Sequence, residues 1–213
     1  MSKTQQAFVL LAQMEAPVSA EAMEMATRLH ALPPLLRGLV LGIMPIVNKL
    51  TQTGVSRDLD GLEVFAGVGA IAQAGRAAGM SWETFDINNN SAEDIVDPAG
   101  LELVIGMALR VRASGALWGA VPCSTWVWIA RHGTGRTAQH PEGSAECARV
   151  VAANKVTENF VAVAAMGWLR GAMVFVENPS SLLWQFGLIR DLRRLRSCET
   201  TPVCKSQGRM PRL

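Results

Sequence analysis

Strands and helices are expected to alternate along most of this chain, and that alternation limits the folds open to it. Short apolar runs predict four strands, at residues 62–66, 82–87, 116–121 and 172–176, and a fifth short strand at 94–96. Segments with helical character follow them, at 70–78, 101–111, 144–169 and 181–196. This order favours an α/β fold with a doubly wound, mostly parallel sheet and helices on both faces.

Three regions are expected. Residues 1–57 form a helical N-terminal segment, in which Pro33 and Pro34 separate two helical stretches. Residues 58–196 form the α/β domain, and residues 197–213 form an irregular basic tail. The late basic residues are consistent either with an exposed tail or with a surface that contacts phosphate.

The composition is that of a folded globular protein, with 49% hydrophobic and 18% charged residues. A net charge of +2 is too weak to indicate a nucleic-acid partner by itself. The four cysteines and three histidines show no zinc-ligand spacing, so we expect no metal and an intracellular chain with reduced thiols, in the nucleus or cytoplasm. The longest apolar run, at 39–47, is far shorter than the roughly 20 residues that span a membrane, so we expect no membrane partner. The oligomeric state is not predicted.

The first strand runs into the sequence FAGVG at residues 65–69, which opens a helix. Glycines there allow a tight turn and a close approach of the backbone to a ligand, with helix amides facing it. Asp86, at the end of the next strand, is suited to bind ribose hydroxyls. The third glycine of a dinucleotide fingerprint is missing, so we expect S-adenosylmethionine as the cofactor. A plain strand–helix turn is the alternative.

Two further strings follow strands. PCS at residues 122–124 offers Cys123 as a nucleophile if its thiolate is stabilised, and a buried, inert cysteine is the alternative. ENP at residues 177–179 offers Glu177 as a proton donor if its pKa is raised. A helix-start acid, with Asn178 as the cap, is the other interpretation of that string.

A polar, glycine-containing segment at 131–143 is expected to be a loop. It carries Arg131 and Arg136, which could contact a phosphate or carboxylate of a substrate, and a solvated loop is the alternative. Asn154, within an apolar helix, could contact that loop.

In this order, FAGVG, PCS and ENP resemble motifs of the DNA cytosine 5-methyltransferases. That family has a Rossmann-like fold and uses S-adenosylmethionine. The resemblance spans about residues 59 to 180; Ser124 and Pro179 depart from the family's usual Gln and Val, and no target-recognition region is evident after Pro179. We therefore expect a diverged, C-terminally short relative, with nucleic acid as a partner.

The resemblance implies a role for each matched residue. Cys123 would attack C6 of a flipped cytosine, and Glu177 would protonate the ring at N3. The cofactor would be held by a set of residues from three loops: Phe65, Gly67, Gly69, Asp86 and Pro122. Outside the matched motifs, Arg131 and Arg136 of the basic loop are expected to bind the substrate together with Asn178. Two alternatives stay open: a non-catalytic Rossmann-like binding or scaffold protein, and a methyltransferase that acts on a substrate other than nucleic acid.

Overall fold

The four observed strands form one sheet in which all neighbours run parallel. The computed structural model describes residues 20–52 and 54–195. The strands are β1 (Leu59–Val64), β2 (Trp82–Phe85), β3 (Val111–Ala120) and β4 (Met173–Glu177), and their spatial order is β2-β1-β3-β4. The predicted α/β class and parallel sheet are therefore confirmed, and the architecture is compatible with a Rossmann-like fold.

The described chain divides into two compact units between Leu32 and Pro33. The first unit contributes α1 (Ala20–Ala31). The second contributes six helices: α2 (Pro34–Thr51), α3 (Ala70–Ala77), α4 (Pro98–Arg110), α5 (Arg131–Thr134), α6 (Ala148–Leu169) and α7 (Gly187–Arg193). The sequence predicts the boundary near residue 57 instead. Helix α2 belongs with the sheet because its buried side chains, Leu36, Val40, Ile43 and Val47, recur at helical spacing and it packs against α4, α6 and α7.

Helix α2 continues through Pro45, which the sequence analysis does not anticipate. By length and composition alone it is apolar enough to cross a membrane. A core helix of a soluble protein passes the same test. The absence of a membrane partner therefore stays a prediction.

The helices lie on both faces of the sheet. Gly75 of α3 packs against the ring of Trp82, which also covers Gly61 of β1. Gly61 pairs with Ala116, so these two residues share a face of the sheet. Gly119 is three positions after Ala116 and therefore belongs to the opposite face, where Phe160 of α6 lies against it. The chain moves from β1 to β2 through α3 and then reverses direction across β1 to reach β3. This reversal, with crossovers of a single hand, accounts for helices on opposite faces.

Two predicted elements are wrong. Residues 94–96 form a turn, because the Asp94 carboxylate accepts a hydrogen bond from the Val96 amide at 2.9 Å and so takes a donor that a strand ladder would need. The expected helix at 181–196 is split into a 3₁₀ turn, Leu182–Gln185, and α7, because Phe186 between them has extended backbone angles.

The contact between Gly75 and Trp82 gives a testable prediction about stability. We expect Gly75→Ala to lower the free energy of unfolding by about 1–3 kcal/mol, because the new methyl would overlap the half-buried Trp82 ring. Gly38→Ala in α2 is the matched control. It meets open space, so the better helix propensity of alanine should raise stability by up to about 1 kcal/mol. Urea unfolding of both variants measures the difference, and equal stabilisation by both would contradict the packing.

Candidate functional site

The carboxyl ends of all four strands lie at the same edge of the sheet, because the strands are parallel. After β1 the chain adds β2 on one side and then β3 and β4 on the other, so the strand order switches direction between β1 and β3. Open α/β sheets bind ligands in the crevice outside such a switch point. Eight predicted site residues stand just after a strand or at its last position, along this edge: Phe65, Gly67, Gly69, Asp86, Pro122, Cys123, Glu177 and Asn178.

The turn after β1 has an unusual backbone. Phe65, Gly67 and Gly69 all have positive φ angles, of 59°, 54° and 68°. Such an angle is rare and costly for a bulky residue such as Phe65, and strain of this kind clusters at ligand sites. A Cβ added to Gly67 would meet nothing within 4 Å, so this glycine supplies the turn angle and leaves open space beside the backbone.

Asp86 is bound directly to this turn. Its Oδ2 accepts a hydrogen bond from the Gly67 amide at 2.7 Å, and its Oδ1 accepts from the Asn88 amide at 2.8 Å. The Asn89 side chain returns to the Gly67 carbonyl at 2.9 Å. The structure thus joins the loops after β1 and β2, as the spacing of Gly67 and Asp86 predicts. The Asn88 side chain also donates to Oδ1, at 2.9 Å, which fills both lone-pair sites of that oxygen, so only Oδ2 keeps a free acceptor site.

Glu63 has a role that the sequence analysis misses. This buried acid of β1 accepts hydrogen bonds from the Ala72 and Ile71 amides, at 2.7 and 3.4 Å, in the first turn of α3. A carboxylate is favourable at a helix N-terminus, where amide hydrogens lack partners. The expectation that these amides face a ligand is therefore wrong, because the Ile71 and Ala72 amides donate to Glu63 instead. An acid inside an apolar strand is the signal that could have revealed this.

The PCS and ENP strings are held together by hydrogen bonds. Glu177 pairs with Ala120 in the β3–β4 ladder, and the Asn178 side chain donates to the Val121 carbonyl at 2.6 Å. Ser181 donates to the other end of that side chain at 2.5 Å. Asn178 is therefore a clamp between the two strand ends, not the helix cap of the alternative interpretation. Both ends of its amide have partners within the chain, and its predicted contact with substrate stays a prediction.

The two proposed reactive groups differ in exposure. Cys123 is half-buried with a free thiol, and Glu177 is exposed. Within residues 20–52 and 54–195, the Glu177 carboxylate has no ion-pair or hydrogen-bond partner. Both groups are thus open to a ligand at this edge.

The segment after Cys123 differs from the predicted loop. Residues 131–134 form the short helix α5, on which Arg131 is exposed. Arg136 is in the interior, 1% exposed, with its guanidinium 3.4 Å from the centroid of the Trp126 ring. Burial lowers the pKa of Arg136 to about 10, which leaves it charged at neutral pH. Asn154 does contact this segment, accepting from Arg136 at 2.8 Å.

Other features of the described chain lie apart from this edge. No group of three or more His, Cys, Asp or Glu side chains in the described residues is arranged to hold a metal ion. A cavity of about 610 Å³ lies among α2, residues 54–56 and α4, and none of the residues that line it is a predicted site residue.

Comparisons with protein-family models, curated proteins and solved structures give no match to this chain.

Proposed function

We propose that this protein is an S-adenosylmethionine-dependent methyltransferase that acts on cytosine in nucleic acid, with Cys123 as the nucleophile. One observation carries the proposal: the glycine turn, the Cys123 loop and Glu177 stand at the ends of three adjacent parallel strands at one edge. Hydrogen bonds join Gly67 to Asp86 and join the Asn178 side chain to the Val121 carbonyl before Cys123.

The glycine turn fits S-adenosylmethionine better than a dinucleotide. A pyrophosphate needs the free amides of a helix N-terminus, and here Glu63 holds those of α3. The carboxylate would also repel a phosphate. S-adenosylmethionine has no phosphate, and one of its ribose hydroxyls could donate to the free acceptor site of Asp86 Oδ2. Phe65, Gly67 and Asp86 would hold the cofactor.

Cys123 and Glu177 would activate the base from two sides. As the Cys123 thiolate adds to C6 and the C5–C6 double bond opens, Glu177 would share a proton with N3, and the electron density gained makes C5 nucleophilic. S-adenosylmethionine, when bound, would supply an electrophilic methyl group to C5 and leave as S-adenosylhomocysteine. Removal of the C5 proton by a base then breaks the bond between Cys123 and C6 and frees the thiolate.

Trapping tests the proposal. The full chain is incubated with S-adenosylmethionine and oligonucleotides that contain 5-fluorocytosine, single- and double-stranded. The fluorine cannot leave as a cation, so elimination stops and a denaturant-stable adduct on the peptide containing Cys123 is expected by mass spectrometry. Plain cytosine oligonucleotides, which allow elimination, are the control.

Calorimetric titration with S-adenosylmethionine separates the alternatives. Binding together with an adduct supports the proposal. Binding without an adduct on any cytosine oligonucleotide would instead indicate a methyltransferase for another substrate. No heat of binding and no thermal shift would indicate a binding or scaffold protein.

A further inference from the structure

Arg136 is buried without a carboxylate partner. Its nitrogens form no ion pair with any acid in the described chain, and its guanidinium carbon lies 3.4 Å from the centroid of a fully buried ring, that of Trp126. A buried cation is costly unless its hydrogens are bound, so its hydrogen-bond partners show what it holds in place.

Those partners come from three separate segments. Arg136 donates to the Thr125 hydroxyl at 3.3 Å, in the turn that follows Cys123. It also donates to the Pro141 carbonyl, in the loop before α6. Within α6 it donates to the Val150 carbonyl at 3.4 Å and to the Asn154 side chain at 2.8 Å. One side chain therefore ties the Cys123 turn to α6.

The ring under the guanidinium belongs to the same turn. The Trp126 and Val127 amides donate to the Cys123 carbonyl, at 2.8 and 3.1 Å. The Trp126 carbonyl accepts from the Leu182 amide at 2.8 Å, four residues beyond Asn178. Trp126 thus joins the loop that carries Cys123 to the loop that follows Glu177.

We propose that Arg136 is a positioning residue: through Thr125 and Trp126 it fixes the turn that holds Cys123 beside the end of β4, and it does not contact substrate. The effect on kcat that this inference predicts rests on the proposed function. It replaces the substrate contact expected from the sequence. Lysine cannot reproduce the role, since it lacks both the planar face that stacks on a ring and the fork of donors.

Two variants test the proposal by steady-state methyl transfer, with Arg194→Gln as the matched control. Arg194 carries an exposed ion pair with Asp191 and is remote from these contacts in the chain. Arg136→Lys is expected to lower kcat by about 100-fold, the order expected when a reacting group is displaced by about 1 Å, with KM for the oligonucleotide within about 2-fold of wild type. Thr125→Val keeps the side-chain shape and removes only the hydrogen bond from Arg136 to the Thr125 hydroxyl, so a smaller fall in kcat is expected.

Alkylation of the Cys123 thiol gives a second measurement that does not require the proposed function. Peptide-resolved mass spectrometry after iodoacetamide treatment measures its rate across pH. We expect both variants to alkylate Cys123 about 5-fold faster at neutral pH, the change in local opening that loss of an ordinary hydrogen bond produces. Amide hydrogen exchange of β1 and β2, which do not contact Arg136, should stay at the control value in the same samples, which separates local loosening from unfolding.

The outcomes are distinct. A rise in KM with unchanged kcat in Arg136→Lys would make Arg136 a substrate contact and overturn the proposal. Wild-type kcat and wild-type Cys123 alkylation in both variants would also overturn it. If no methyl transfer occurs with any substrate, the proposed function fails while selective acceleration at Cys123 still supports the positioning role. If Arg136→Lys does not fold, Thr125→Val alone decides.

Discussion

Replacing Cys123 with alanine is expected to abolish the adduct with 5-fluorocytosine. It should lower the rate of methyl transfer by up to about 10⁶-fold, the order of loss seen when a covalent nucleophile is removed from another enzyme. The physical reason is that no other group is proposed to form the bond to C6, and without that bond C5 does not become nucleophilic. Denaturing mass spectrometry of the trapped complex and initial rates with radiolabelled cofactor measure both effects.

Cys147→Ala is the matched control, because it removes the other free thiol of the described chain. Cys147 is also half-buried, but it stands at the N-cap of α6 with its sulfur 3.7 Å from the Gly133 carbonyl. This variant should keep both the adduct and the rate. An adduct that persists in Cys123→Ala, or one that disappears only in Cys147→Ala, would contradict the assignment.

The second large effect is expected at Phe160, which supports the sheet below the glycine turn. Phe160 is fully buried on α6, with its ring against Gly119 of β3 and 5.6 Å from the centroid of the Phe65 ring. Truncation to alanine leaves a cavity, so Phe160→Ala should lower the free energy of unfolding by about 3–5 kcal/mol. It also removes the support of the strained Phe65, and weaker binding of S-adenosylmethionine is expected in any variant that remains folded.

Val151→Ala is the control on the same helix. Val151 is 48% exposed, so its truncation should change stability by no more than about 0.5 kcal/mol. Urea unfolding at a concentration series compares the two variants. A loss at Phe160 no larger than that at Val151 would show that the α6–β3 contact does not support the fold.

Local sequence signals predicted those strands and helices whose formation is set by residues close together in the chain. The apolar run before FAGVG gave a strand, and the small residues after it gave α3, within a few residues of the observed bounds. Parallel strands then required Cys123 and Glu177 to stand at one edge, since every strand of such a sheet ends there. Asp86 lies beside Gly67 for the same reason, and its predicted contact with a ribose stays a prediction.

Burial and hydrogen-bond partners were decided by tertiary structure. Arg136 looks like an exposed loop arginine in the sequence, yet the Trp126 ring and carbonyls 5 and 14 positions away surround it. Asn178 looks like a helix cap in the sequence, but its side-chain amide instead donates to the Val121 carbonyl, 57 positions away. Glu63 was overlooked because its partners lie across the β1–α3 turn.

The amino-acid sequence by itself determined the order of the main strands and helices and which polar residues follow the strands, because spacing and turn chemistry act over a few neighbouring residues. Only the tertiary structure decided which loops touch, which charges are buried and which helix packs with the sheet. Those outcomes depend on contacts between segments far apart in the chain, and the partner of a buried polar group is chosen only when the strands have taken their order.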